Sequence, residues 1–123
     1  MNLLKQPLFQ KSNIIKDRKY LEWVCDCFKC FICSNIGEEQ SSPTQAHHLQ
    51  GKYRIGAMIR CDSRVIPLCF DHHQILTFKY GERKFWELDK YKDLNPMSYA
   101  KILYQMWREN NETENYRNKK TLA

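Results

Sequence analysis

A chain of 123 residues, 42% hydrophobic and with a mean hydropathy of -0.70, has room for one domain with a modest core and hardly for two. Small cores of this kind often need a metal staple. The formal charge of +6 and pI of about 9.0 favour phosphate-rich partners, and the lack of any run of about 18 apolar residues excludes a membrane-spanning helix.

Residues 1–16 read as a loosely held arm with scattered Lys and Arg, no continuous apolar stretch and no small-residue cleavage site. No secretory signal is therefore expected, and the expected compartment is cytoplasmic. Thiols stay reduced there, so clustered cysteines more often bind metal than pair as disulfides. From Asp17 to Phe28 the chain reads as a helix, with Tyr20, Leu21, Val24, Cys27 and Phe28 on one face. Cys30 to Gln45 reads as a cysteine-bearing turn followed by an acidic loop containing Ser and Pro.

Thr44 to Leu49 has the length of a short strand. A Gly-containing connection follows from Gly51 to Asp62, carrying Lys52, Arg54 and Arg60. Val65 to Leu68 reads as a second strand. Asp71 to Phe78 is a helix candidate, capped by Asp71 and followed by Gly81. Glu82 to Tyr91 continues as an amphipathic helix with Phe85, Trp86 and Leu88. Asn95-Pro96 opens the last helix, which runs to Glu109 with Tyr99, Ile102, Leu103, Met106 and Trp107 on one stripe. Residues 17–110 thus form the expected domain, and residues 111–123 an expected polar tail.

Two short ligand pairs stand out. Cys30-Phe-Ile-Cys33 is C-x2-C, and Cys69-Phe-Asp-His72 is C-x2-H. A two-residue gap lets both side chains of a pair reach one ion from a single tight turn, and two such pairs supply the four soft ligands of a tetrahedral zinc. The plainer use of a cysteine is as a buried apolar side chain. Cys61 fits that use best, while Cys25 and Cys27 stay open as alternative ligands.

All four histidines occur as adjacent doublets, His47-His48 and His72-His73. In a doublet one imidazole can bind a metal while its neighbour serves as a base. Hydrolysis of a phosphodiester needs both an activated water and charge stabilisation, which a neutral histidine and a divalent ion supply. At a helix start His72 and His73 point about 100 degrees apart, so His72 can face the cysteines while His73 faces elsewhere. His47 and His48 lie on a strand, whose side chains alternate sides. A shared site for them needs an irregular strand end or a phosphate lying between metal and base. Asp62 either orients the base or completes the metal shell; a plain turn residue is the alternative.

In that order, the C-x2-C pair, the histidine doublet in Ala46-His-His-Leu-Gln-Gly51, the acidic Asp62, and Ile66-Pro-Leu-Cys-Phe-Asp-His-His73 resemble an HNH nuclease. More closely, the chain resembles the phage recombination-enhancement nucleases and related prophage proteins, over roughly Tyr20 to Lys90. The resemblance implies an α+β fold: a small ββα-metal core with a zinc knuckle and flanking α-helices. It implies His47 and His73 as ligands of a catalytic ion, with His48 as general base and Asp62 near the residue that orients the base or helps hold the metal; the expected ion is Mg2+ or Mn2+, although a histidine-rich shell also takes zinc or nickel. It implies structural Zn2+ on Cys30, Cys33, Cys69 and His72. The expected activity is a DNA endonuclease of phage or prophage recombination with little sequence specificity. A recombinase filament is an expected partner beside DNA. The connection after the doublet is less Gly-rich than in those relatives, and Thr77 stands where they often carry another histidine.

Lys52, Arg54, Arg60 and Arg64 cluster around the strands, and Lys79, Arg83 and Lys84 follow the metal helix. Such groups contact phosphates rather than bases. A non-catalytic zinc-binding adaptor for DNA or protein uses the same features without cleavage, and remains the alternative, as does a structural zinc domain within a larger phage complex.

Overall fold

The computed structural model describes residues 14–50 and 60–109. It combines helices with one small sheet: α1 Arg18–Cys27, α2 Phe31–Ile36, β1 Thr44–His48, β2 Val65–Cys69, α3 Phe70–Gln74, a π-helical turn Ile75–Tyr80, α4 Glu82–Glu87 and α5 Pro96–Glu109. A 3-10 turn, Asp62–Arg64, leads into β2. None of the described helices is long and apolar enough to cross a membrane.

β1 and β2 pair antiparallel, with His47 opposite Ile66 and His48 opposite Val65. All five residues of β2 are buried, because helices cover both of its faces. Alternation sends Val65 into one cluster, with Tyr20, Trp23 and Val24 of α1 and Leu103 and Trp107 of α5. Ile66 and Leu68 face the other cluster, with Phe31, Ile32, Leu76, Phe85 and Trp86. Partners across a strand pair share a face. His47 therefore lies on the Ile66 side and His48 on the Val65 side, as strand geometry requires.

Local chemistry explains the element ends. Asp17 caps α1, its carboxylate accepting from Tyr20 N–H. Gly37 and Gly81 adopt positive φ at helix boundaries, which glycine does at least cost.

Several expected features differ. Cys27 is exposed at the end of α1, and Trp23 takes its place on the buried face. The α5 stripe is rotated: Pro96, Ala100, Leu103 and Trp107 are buried, while Ile102 is 53% exposed. Asp71 does not cap α3. The helix starts one residue before it and is capped by the Cys69 sulfur. α4 stops at Glu87, because Leu88 turns to an extended conformation. The turn brings Tyr91 back to stack on Phe85, with ring centroids 4.6 Å apart. The stretch expected as a turn after Cys30 holds α2. Ile15 and Lys16, placed by sequence in the arm, are bonded to residues 60–62.

Candidate metal centre and histidine pocket

The two ligand pairs are built alike. Cys30 caps α2 and accepts from Cys33 N–H (3.4 Å). Cys69 caps α3 and accepts from His72 N–H (3.4 Å). In each pair the first cysteine starts a short helix and the second ligand sits on its first turn, so one backbone N–H points at a sulfur. Such donors favour the thiolate form that a metal requires. α2 and α3 both pack beside β2, which brings the pairs together.

The four ligand atoms of Cys30, Cys33, Cys69 and His72 lie within 4.8 Å of one another, and all four residues are buried. Cys33 Sγ is 3.9 Å from Cys69 Sγ. His72 Nδ1 lies 3.6, 3.5 and 3.3 Å from the sulfurs of Cys30, Cys33 and Cys69. Zn–S bonds of about 2.3 Å at the tetrahedral angle put sulfurs about 3.8 Å apart, so the donor set and its spacing fit a metal ion such as zinc. Without metal, burial drives the Cys33 thiol up to about 12, with the neighbouring Cys30 adding to the effect. Burial also lowers His72. Among the described residues no other group of three or more such ligands is drawn this close. Cys25 and Cys27 are not part of it. Cys61 is a buried thiol bonded to Ile15 N–H and Ser63 Oγ.

The remaining histidines open on one pocket of about 330 Å³, lined by Ala46, His47, His48, Gln50, Arg60, His73, Leu76, Thr77 and Glu82. The site thus collects both members of the β1 doublet at the strand end, although they lie on opposite faces. His48 Nε2 is 2.8 Å from Asp62 Oδ1. The other Asp62 oxygen accepts from Asp17 N–H at 2.7 Å. Both carboxylate oxygens are thus engaged within the protein, which suits a residue that orients an imidazole. In the neutral ring, donation from Nε2–H leaves a lone pair on His48 Nδ1.

His47 Nε2 donates to Glu82 Oε1 (2.8 Å), which also accepts from Gln50 N–H (2.9 Å). The second Glu82 oxygen accepts from Trp86 Nε1–H. His73 Nδ1 donates to Gln45 Oε1 (2.6 Å). The two rings meet edge to face, with centroids 4.9 Å apart. Burial, followed by the nearby His47, lowers the His73 pKa, with Glu82 acting against them. Each imidazole thus gives one N–H to a fixed oxygen, as metal-binding histidines typically do.

No protein-family model, no curated protein and no solved structure matches the chain.

Of the expected phosphate-binding groups, Arg60 lies on the pocket. Arg64 instead lines a separate groove with Lys101, Tyr104 and Arg108. Arg83 reaches Glu87 on its own helix at 3.6 Å. Lys52 and Arg54 lie outside the described residues. Two site residues carry no sequence signal. Glu82 is 35 positions from the histidine it holds and reads as an ordinary first-turn acid of a helix. Asp17 reads as an ordinary helix cap.

Proposed function

We propose that this chain is a metal-dependent nuclease that hydrolyses phosphodiester bonds in DNA with little sequence preference. In this reading β1, β2 and α3 are a ββα-metal core, and the Cys30, Cys33, Cys69 and His72 cluster holds a structural zinc. The observation that carries it is the His48–Asp62 pair at the pocket, with the tautomer-fixed His47 and His73 beside it.

The donor set of the pocket supports a second, catalytic cation. Two imidazoles would make only a partial shell, which would leave room for water and phosphate. His47 and His73 would hold this ion, Mg2+ or Mn2+ by the resemblance, although a pair of imidazoles also suits zinc or nickel; when bound it would supply charge stabilisation at the phosphate. His48 accepts the proton of the attacking water on Nδ1, while Asp62 holds its Nε2–H and favours the imidazolium that forms. Glu82 fixes the His47 ring, and Gln45 fixes that of His73. Arg60 at the pocket mouth draws in the phosphate backbone. Thr77 contributes no imidazole, so the protein side of the shell is limited to two histidines. A phage or prophage role in DNA recombination, with a recombinase filament directing the cut, follows from the resemblance alone.

The test is cleavage of single-stranded and duplex DNA with Mg2+ or Mn2+, comparing wild type with His48→Ala. Cutting by wild type and its loss in the variant is the expected result. No cutting by wild-type protein holding its full zinc complement means a zinc-binding adaptor instead.

A further inference from the structure

The segment entering α1 is bonded to the residues around Asp62 at several points. Asp62 N–H donates to Ile15 O at 2.9 Å. Asp17 N–H donates to Asp62 Oδ2 at 2.7 Å. Ile15 N–H reaches Cys61 Sγ at 3.3 Å, and Lys16 Nζ donates to the Arg60 carbonyl. A helix cap requires one carboxylate oxygen. In Asp17 Oδ1 does this, accepting from Tyr20 N–H at 3.1 Å. Its second oxygen accepts from Trp107 Nε1–H at 2.9 Å, from α5 and 90 positions away. A continuous path results, from Trp107 to Asp17, from Asp17 to Asp62, and from Asp62 to His48.

We propose that Asp17 is a positioning residue for the His48–Asp62 pair. Its carboxylate is pinned between α1 and α5, and this fixes its backbone amide. The amide in turn holds Asp62 with Oδ1 facing His48 Nε2. Asp62 is only 7% exposed, so a lost N–H partner is not readily replaced by water. Its carboxyl group then rotates toward other donors, and the His48 ring ceases to be confined to the tautomer that leaves Nδ1 as the base. This role rests on the reading of His48 as the base, but its structural core does not require DNA cleavage.

The experiment uses the full, zinc-loaded chain with 15N-labelled histidine, read by NMR without DNA or added cation, together with steady-state cleavage. Asp17→Ser keeps an N-cap acceptor for Tyr20 but is too short for Trp107, and Trp107→Phe removes the same bond from the other side. Both are expected to convert a single His48 Nε2–H tautomer into a mixture. Cleavage should show kcat falling about tenfold with KM within about twofold, the signature of a misplaced reacting group. Asp17→Asn, which keeps both the cap and the side-chain length, should fall between wild type and Asp17→Ser. Variants that melt earlier yet keep the wild-type His48 tautomer reduce Asp17 to a helix cap and overturn the proposal. If the tautomer responds in a protein that cuts nothing, the positioning role stands and the nuclease reading fails.

Discussion

The cysteine cluster and the histidine pocket receive adjacent residues of the same helix, His72 and His73, yet they are organised in opposite ways. In the cluster, four ligand atoms converge within 4.8 Å and all four residues are buried. In the pocket, each imidazole has one ring nitrogen bonded to its own oxygen partner. A closed, saturated set of soft donors is how proteins build structural zinc, and an open set of imidazoles backed by oxygens is how they build reactive sites. Adjacent positions on α3 send His72 to the cluster and His73 to the pocket because successive helical side chains diverge by about 100 degrees.

If the cluster is structural, its loss should be the largest effect of any single change. Cys69→Ala removes a ligand and the α3 cap together. Structural zinc supplies on the order of 10 kcal/mol, comparable with the entire stability of a small domain. The expected outcome is loss of tightly bound zinc and of cooperative thermal unfolding, measured by metal analysis and calorimetry. The pocket should behave differently. His48→Ala should retain one zinc and a near-native melting temperature while cleavage falls by about 10²- to 10⁴-fold.

In metal-free protein the Cys33 thiol is raised from 9.0 to about 12 by burial and by Cys30. A raised folded-state value means that the metal-free fold favours the neutral thiol. That contribution is present below about pH 9 and is lost as pH climbs toward 12. Zinc reverses the sign, since it binds thiolates and must displace their protons. Zinc affinity should therefore drop by about tenfold or more for each unit of acidification below neutrality, as read by chelator competition. A pH-independent affinity breaks the assignment of the thiols as ligands.

Smaller changes sharpen the contrast inside the pocket. Glu82→Gln keeps the shape of the residue that holds His47 but removes its charge. Activity should fall roughly 10- to 100-fold and need more added Mn2+, with zinc content unchanged. Arg60→Ala should weaken DNA binding by a few fold, with the slope of log affinity against log salt reduced by about 1. Arg64→Ala, in the separate groove, should have less effect on cleavage than Arg60→Ala.

Much of this was legible in the sequence, for identifiable reasons. The cysteine pairs were readable because their ligands are close in the chain and their chemistry is narrow. The division of His72 from His73 followed from helical geometry, and the two strands from short apolar or polar runs bounded by turns. The helix caps at Cys30 and Cys69 were not readable, since a sulfur is a rare cap and Asp71 offered a conventional one. The buried stripe of α5 is rotated from the one its sequence suggests because Ile102 and Met106 are as apolar as the residues that are buried. Glu82 and Asp17 were hidden for a different reason. Each is an ordinary acid at a helix start, and its role exists only through partners 35 and 45 positions away.

The most direct test is a cleavage assay on protein carrying one equivalent of tightly bound zinc, before and after addition of Mn2+. The two-site organisation predicts no cutting with zinc alone, cutting of DNA once Mn2+ is present, and no cutting by His48→Ala under the same conditions. Wild-type protein that keeps its zinc and leaves DNA intact at every Mn2+ or Mg2+ concentration would contradict it.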